Sequence, residues 1–364
     1  MDWRGNFRPE GVYMEQTTLR LMNMLAPDLL DEMAKRAWVL EHIATLQPIG
    51  RRALAVRLCM PEREVRAVVH ALREAGHIAL DAAGMTLAPK AQQVLEGARD
   101  ISHSLRGLSA LENTLSRLLH IGRVIIVPGD ADTDTQVMHE VGRAAALRLR
   151  ALLQPGQVLA VTGGTTMAQV ACALPAAALD VLVLPARGGM GRAVETQADT
   201  LAAEFARKLG GHHRLLHLPD RIDAGAWQEI QKMPEVRETL ELLHRTDVLL
   251  HGIGRADVMM RNRGLSTDAT AHIVESGAVA EAFGCYFDAQ GAPVYAVSSV
   301  GLDLQALSRV RTVMAVAAGG SKAEAILAVM RRRGHTLLVT DEGAATRMLA
   351  LHHALAGEET AALS

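Results

Sequence analysis

The chain reads as an α/β protein in two parts: a helical N-terminal segment carrying a winged helix-turn-helix, then a parallel-sheet α/β domain that binds a ligand. Three observations lead there. First, seven short apolar, often Val-rich runs recur from about residue 120: IGRVIIVPGD, QVLAVTGGTT, LDVLVLPARGG, HRLLHLPD, DVLLHGIG, VRTVMAVAAGG and HTLLVTDEG. Each ends in Gly, Pro, Asp or Thr, and helical periodicity follows most of them, which is the pattern of βαβ units around a mostly parallel sheet. Second, residues 1 to about 95 are helical in pattern with little sign of buried strands. Third, 364 residues exceed what one small core supports, so two domains are expected. The expected boundaries are 1–95 for the first domain, 96–120 for a linker helix and 121–364 for the second.

Composition narrows the function classes. With 49% apolar and 21% charged residues, the chain has the make-up of a soluble globular protein. A net charge of −2 argues against a chain coated in basic patches but leaves room for a locally basic segment. No run of about 18 apolar residues appears, as a membrane span would need, and MDWRGNFRPEG lacks the apolar centre of a signal peptide. Cys59, Cys172 and Cys285 are far apart, which fits a reducing, cytoplasmic setting. Neither CxxC nor HExxH occurs, so no structural metal or cofactor is expected. Aromatic residues make up 3%, too few for base-stacking or sugar-stacking platforms.

In the first domain, LLDEMAKRAWVLEHIATL (29–46) predicts an amphipathic helix with Met33, Ala37, Leu40, Ile43 and Ala44 on one face. Gln47-Pro48-Ile49-Gly50 breaks it, RRALAVRLCM gives a short second helix, and a third runs from Pro61, suited to a first helical position, to a closing Gly76. Two short helices meeting at a tight turn make helix-turn-helix geometry. The third helix buries Val65, Val68, Val69 and Leu72 and leaves Arg63, Arg66, His70 and Arg73 on other faces. With Arg51, Arg52 and Arg57, six arginines face three glutamates between Gln47 and Gly76. Arginines near the start of a helix in the major groove reach base edges, and others neutralise phosphates, so double-stranded DNA is the expected partner. HIALDAAGMTLAP supplies the hairpin of a wing. Between the domains, Leu108, Leu111, Leu115 and Leu118 form a short seam, read as a connecting helix packed on the α/β domain or as an oligomer contact.

Ligands of parallel sheets bind at the carboxyl ends of the strands, where the polar loops fall. In VTGGTTMAQV, Gly163 and Gly164 let backbone approach a ligand, and Thr165 and Thr166 place hydroxyls at a helix start, an anion site. PARGGMGRAVETQADT adds Arg187, Gly188 and Gln197. AAGGSKAEAI repeats the glycine-rich helix start, with Gly319, Gly320, Ser321 and Lys322. Two such starts suit a molecule with two phosphates. HGIGRADVMMRNRG carries Arg261 and Arg263, and GAVAEAFGCYFDAQG places Glu281 beside a phenylalanine, either to accept sugar hydroxyls or to act as the base of an isomerase. Asp341 and Glu342 read most simply as caps of the last helix.

Taken in order, TGGTTM, PARGGMG with ETQAD, HGIG with ADVM, GAVAEAFGCYFDAQG, Gly301-Leu302, AAGGSKAEAI and TDEGAA resemble the SorC (sugar-binding) family of bacterial transcription factors, and within it regulators of glycolytic genes. The resemblance covers nearly the whole chain. It implies a winged helix-turn-helix followed by a Rossmann-like effector-binding domain, distantly similar to sugar-phosphate isomerases and glucosamine-6-phosphate deaminases. It further implies dimers or tetramers that repress an operon of glycolytic enzymes until fructose 1,6-bisphosphate binds. By position, Gly163, Thr165 and Thr166 then hold one phosphate, with Lys322 and its glycines in the same pocket. Arg187, Gln197 and Glu281 reach the other phosphate and the hydroxyls, with either Arg261 or Arg263. Two features depart from the family pattern: Cys285 stands where tyrosine is usual, and TLAPKAQQ replaces the usual wing ending.

The rival reading is a sugar-phosphate isomerase or deaminase, with Glu281 or Asp257 as base and Lys322 on phosphate. It leaves the helix-turn-helix unexplained, and proton transfer needs an acid–base pair in reach of one carbon, for which the sequence offers no second partner.

Overall fold

The computed structural model describes residues 22, 24–58, 60–91, 94, 107–189, 193–218, 222, 224–297 and 300–362. Cys59, the start of the linker helix and the Met190–Arg192 part of the PARGGMGR loop lie outside the described residues. The chain divides into two compact units, 1–109 and 110–364.

In the first unit, α1 (Pro27–Leu46), α2 (Arg51–Arg57) and α3 (Glu62–Glu74) precede the hairpin β1 (Ile78–Leu80) and β2 (Met85–Leu87). Val39, Leu40, Ile43, Leu54, Val65, Val68, Val69 and Leu72 meet Ile78 and Met85 in one core. Of the expected α1 face, Ala37, Leu40 and Ile43 are buried, while Met33 and Ala44 are half-buried. Pro61 caps α3 from just outside rather than opening it, and Gly76 (φ 74°) follows the α3 cap residue, Ala75. The Gln47–Gly50 break does more than end a helix. Ile49 exchanges backbone hydrogen bonds with Met85 (3.2 and 2.8 Å), and the Gln47 side chain accepts from the Leu87 N–H at 2.7 Å, so the wing hairpin is tied to the turn.

Most of the linker helix α4 (Leu108–Leu118) belongs to the second unit; Leu108 and Leu115 are buried and Leu111 and Leu118 half-buried. Its Glu112 carboxylate accepts the Ile126 N–H at 2.8 Å, which fixes α4 to the first strand of the sheet. Six of the apolar runs form strands, β3 (Arg123–Val127), β4 (Val158–Val161), β5 (Leu182–Pro185), β7 (Val248–Gly252), β12 (Thr312–Val316) and β13 (Leu337–Asp341), and the seventh starts at the end of a two-residue strand, β6 (His212–His213). They form one parallel sheet in the order β3-β13-β12-β7-β4-β5-β6. Helices α5 (Thr135–Leu152), α6 (Thr165–Ala173) and α7 (Ala198–Leu209) cover one face over Leu159, Val161, Val248, Leu250, Met314 and Val316. The other strand positions, Ala160, Leu249, Val313 and Ala315, are equally buried on the opposite face. Burial on both sides explains why these strands read as unbroken apolar runs.

Two expectations need correction. HRLLHLPD does not form the expected strand: β6 ends at its first residue, His213, and the N–H groups of Leu216 and His217 donate to the Asp199 carboxylate (3.0 and 3.3 Å) instead of to a neighbouring strand. A second sheet, unread in the sequence, is antiparallel in the order β11-β10-β9-β8. It comprises β8 (Gly254–Arg255), β9 (Ala278–Ala282), β10 (Cys285–Asp288) and β11 (Pro293–Ala296). Helices α8 (Ala224–Ile230) and α9 (Pro234–Leu243) lead into β7; α10 (Ala256–Arg263) and α11 (Thr267–Glu275) join β8 to β9; α12 (Ala323–Met330) and α13 (Glu342–Ala362) follow the last two strands.

Phe205 on α7 is fully buried in the main core. Phe205→Ala is expected to destabilise the α/β unit by about 3–5 kcal/mol, read as a lower urea midpoint by circular dichroism. A loss under about 1 kcal/mol would contradict close packing there.

Candidate functional site

Along the sheet, β4, β5 and β6 run one way from the centre and β7, β12 and β13 the other, so the strand order reverses between the neighbours β4 and β7. Crevices outside the carboxyl ends of strands at such a reversal are where open α/β sheets bind ligands. A cleft of about 860 Å³ opens there, lined from the ends of β4, β5, β7 and β12 and from β9 and α10. It gathers Gly163, Gly164, Thr165, Thr166, Arg187, Gly188, Gln197, Arg261, Arg263, Glu281 and Lys322. Gly320 is outside the lining.

The two glycine-rich helix starts have opposite fates. At α6, Gly164 (φ 120°) takes the cap position, in a conformation glycine adopts freely, and no side chain caps the helix. The first-turn N–H groups, which no helix can satisfy internally, are therefore left to the cleft beside a buried Thr166. Gly163 has a different reason from the one expected: a Cβ there would lie 2.6 Å from the Thr196 carbonyl, so the glycine admits a neighbouring loop. At Gly319–Lys322, the protein's own carboxylates occupy the turn. Asp341 accepts the Gly319 N–H (2.9 Å), Asp130 the Gly320 N–H (3.2 Å), and Asp132 the Ser321 N–H (2.6 Å) and hydroxyl (3.1 Å). That corrects the expectation for Gly320, whose amide is already committed. Only the Lys322 side chain joins the cleft from this turn. Burial pushes its ammonium below the ordinary value of 10.5, and Asp132 and Asp341 pull it partly back.

The antiparallel sheet positions the acid. Chain leaving β7 enters β8 within two residues, and Gly254 of β8 pairs with Glu281 of β9, which sets that carboxylate beside the end of β7. Glu281 accepts from Arg263 at 2.7 Å and from the Gly284 N–H at 2.6 Å. The Arg263 and Glu281 side chains are 5% and 6% exposed, whereas Arg261 is 69% exposed and donates to Asp257 at 3.3 Å. Arg187, also buried, pairs its backbone with Gly301 and lays its guanidinium against Gly284. Gln197 caps the start of α7, and the Gly188 N–H donates to the Val300 carbonyl at 3.1 Å. Burial raises the Cys285 thiol above its ordinary value against the pull of Arg187. Sequence reasoning missed Arg255 and Met259 in the lining, because the sheet that brings them there was unread.

In the first unit, Arg51, Arg52, Arg63, Arg66, His70 and Arg73 are all exposed. Glu62, in the first turn of α3, lies 3.3 Å from Arg66 and 3.8 Å from Arg52; surface pairs of this kind hold their partners weakly.

A family model described as a sugar-binding domain matches residues 103–350, and one described as the CggR N-terminal DNA-binding domain matches residues 33–101. The central glycolytic genes regulator of Bacillus subtilis (strain 168) is 39% identical over 333 residues, which span 91% of this chain and 98% of that protein. A SorC-family transcriptional regulator of known structure from Enterococcus faecalis is 36% identical, with a TM-score of 0.62 over 66% of this chain and 99% of its own.

The chain belongs to the SorC family of sugar-binding transcriptional regulators. The full-length sorbitol operon regulator SorC from Klebsiella pneumoniae shares the fold at 18% identity, with a TM-score of 0.61 over 88% of this chain and 98% of its own. A SorC-family chain with a DNA-binding and a sugar-binding domain is a regulator, not an enzyme, and the cleft agrees chemically. Burial favours protonation of Asp257, but Arg255 and Arg261 outweigh it and hold the carboxyl below its usual range, making it a poor base. Glu281 already accepts from a guanidinium and an amide. Among the described residues, no group of three or more His, Cys, Asp or Glu could hold a metal ion, and no helix is long and apolar enough to cross a membrane.

Gly284 (φ 71°) sits where a Cβ would collide with the Arg187 guanidinium. Gly284→Ala is expected to cost about 1–3 kcal/mol of stability through strained backbone alone and to displace Arg187 from the cleft. Urea unfolding and a crystal structure of the variant check the two effects.

Proposed function

We propose that this SorC-family chain is a cytoplasmic repressor of glycolytic genes, acting as a dimer or tetramer, and that a phosphorylated sugar in its cleft weakens operator binding. The effector in this reading is fructose 1,6-bisphosphate. The observation that carries the reading is the meeting of an uncapped α6 N-terminus with Lys322 and the Arg263–Glu281 pair in one cleft. An open helix start with a lysine is chemistry for a phosphate; a carboxylate and guanidinium held side by side are acceptor and donor for sugar hydroxyls. Likeness to the central glycolytic genes regulators of Bacillus subtilis and Priestia megaterium, 39% and 38% identical, supports the choice of genes.

In this reading Gly164, Thr165, Thr166 and Lys322 hold one phosphate while Gly163 shapes the turn. Arg187, Gly188, Gln197, Arg263 and Glu281 receive the rest of the sugar. Gly320 acts through the placement of Lys322. Arg63, Arg66, His70 and Arg73 on α3, with Arg51 and Arg52 on α2, face double-stranded DNA. Control is then linkage: the effector binds the low-affinity DNA form better, and a coupling of about 1–3 kcal/mol shifts affinity about 5–150-fold.

The test is fluorescence anisotropy on a fragment from upstream of the host's glyceraldehyde-3-phosphate dehydrogenase operon, at fixed salt, with and without fructose 1,6-bisphosphate. Tight binding that the sugar weakens supports both halves. Tight binding that answers only to another sugar phosphate moves the effector, and no DNA binding overturns the reading.

Two variants separate the halves. Lys322→Ala or Thr166→Ala is expected to weaken the sugar response about tenfold or more while sparing operator affinity in the sugar's absence. The Lys322 contribution should fade as pH rises through a value below 10.5, since only the protonated amine attracts phosphate. Arg66→Ala should instead weaken operator binding, lower the slope of log affinity against log salt by about 1, and leave sugar affinity unchanged in calorimetry.

A further inference from the structure

The arginines of this chain fall into two populations. Arg36, Arg143, Arg207 and Arg214 each face a carboxylate, at 2.8, 2.7, 2.6 and 3.4 Å. At the amino edge of the parallel sheet that pairing stops. Arg309 and Arg311 precede β12, and Arg332 and Arg333 precede β13. Arg123 opens β3, Arg245 precedes β7, and all six side chains are exposed. Among the described residues, none of the six forms an ion pair.

The topology gathers them. β3, β13, β12 and β7 are successive neighbours and run parallel, so the segments that lead into them share one edge. Backbone bonds tie each segment to the next. The Arg123 N–H donates to the Thr336 carbonyl at 3.3 Å, the Thr336 N–H to the Val313 carbonyl at 3.0 Å, and the Thr312 N–H to the Asp247 carbonyl at 3.1 Å. Gly334 (φ 112°) lies so close to the turn before β12 that a Cβ there would be 3.0 Å from Leu307, which holds the two arginine pairs together. The acid of this edge, Asp247, is already committed: its carboxylate accepts the Val158 N–H at 2.9 Å. Since the whole chain carries a net charge of −2, the unpaired cations reflect segregation rather than excess.

Exposed guanidinium groups without carboxylate partners attract polyanions. The lead-in segments 120–123, 244–247, 306–311 and 331–336 contain no Phe, Tyr or Trp, so the edge offers no stacking surface to single-stranded bases. Neighbouring strands lie about 4.8 Å apart, so four of them span about 14 Å, a length over which duplex DNA carries about eight phosphates. We propose that the amino edge of the parallel sheet is a second, sequence-independent DNA contact, which holds the phosphate backbone of duplex beyond the segment read by α3. Contacts to phosphate add affinity and carry no sequence information directly. The effector cleft opens at the carboxyl ends of the strands, so a bound sugar leaves this edge free. This inference rests on the DNA-binding reading above.

Titration of the full chain onto two labelled duplexes, the operator fragment and a scrambled one of equal length, tests it from about 50 to about 200 mM salt. Arg309→Gln, Arg311→Gln, Arg332→Gln and Arg333→Gln made together are expected to lower the slope of log affinity against log salt by about 3–4 on both duplexes. Across that range the unaltered chain should lose about 100-fold more affinity than the variant. The ratio of operator to scrambled affinity should hold within about twofold, and fructose 1,6-bisphosphate should bind as before in calorimetry. Lysine at the same four positions should restore the slope, since counterion release depends on charge. An unchanged slope in the glutamine variant, with an unchanged urea midpoint, would overturn the edge contact, leave the helix-turn-helix reading standing and direct attention to an acidic protein partner. An equal loss in the lysine variant would overturn it as well, as an effect on the fold rather than on charge. Binding of neither duplex by the unaltered chain would overturn both readings.

Discussion

One buried carboxylate fixes the carboxyl edge of half the parallel sheet. Asp341, at the end of β13 and fully buried, accepts N–H groups from Ala131 after β3, Gly319 after β12 and Ala344 at the start of α13. The adjoining Glu342 accepts the Gly129 N–H. Burial, helped by the nearby Asp130, pushes the Asp341 carboxyl above its usual range, and the three N–H bonds oppose that push. Three loops that follow adjacent strands are thereby set by one group. Lys322 reaches the cleft because the turn it leaves from cannot shift without breaking these bonds.

The same arrangement explains why two similar sequence signals differ in chemistry. TGGTT and AAGGSK both offer glycines, a hydroxyl and a helix start. At the first, the cap position is a glycine and no side-chain cap bond is made among the described residues. At the second, Asp130 and Asp132 have already bound the amides that a phosphate would need. Anion affinity is a property of backbone N–H groups that remain unsatisfied, and satisfaction depends on residues about 190 positions away in the chain. No local motif carries that information.

Legibility follows the same division between local and distant. Six strands of the parallel sheet were readable because burial writes itself as unbroken apolar runs, whereas the edge strand β6, two exposed histidines, carries no such signal. The burial of Val65, Val68, Val69 and Leu72 on α3 was readable too, since it rests on helical spacing. The antiparallel sheet was not. Its β8 has two residues, and AVAEA in β9 lacks the β-branched alternation that marks a half-buried strand. Since β8 is what sets Glu281 beside the end of β7, the sequence could nominate Glu281 but not its partner. Arg261 and Arg263 are two residues apart on α10 and equally plausible from spacing. Only the fold shows that one is sealed against Glu281 and the other open on Asp257.

The cleft's charges also bear on why such a site suits control better than catalysis. A general base must be free to take a proton at working pH. Asp257 and Glu281 each hold arginines instead, and Lys322 feels Asp132 and Asp341. In the proposed reading an incoming phosphosugar does not meet bare cations; it exchanges partners with carboxylates already there. Part of the attraction is spent on that exchange, which moderates affinity and makes it depend on how many anionic groups the ligand brings. Exchange also changes the charges that Asp257 on α10 and Asp132 in the loop after β3 face, while Asp341 keeps its three N–H bonds. A ligand can shift a conformational equilibrium only by as much as it distinguishes the two states, and rearranged ion pairs across separate elements give the effector a means of distinguishing them.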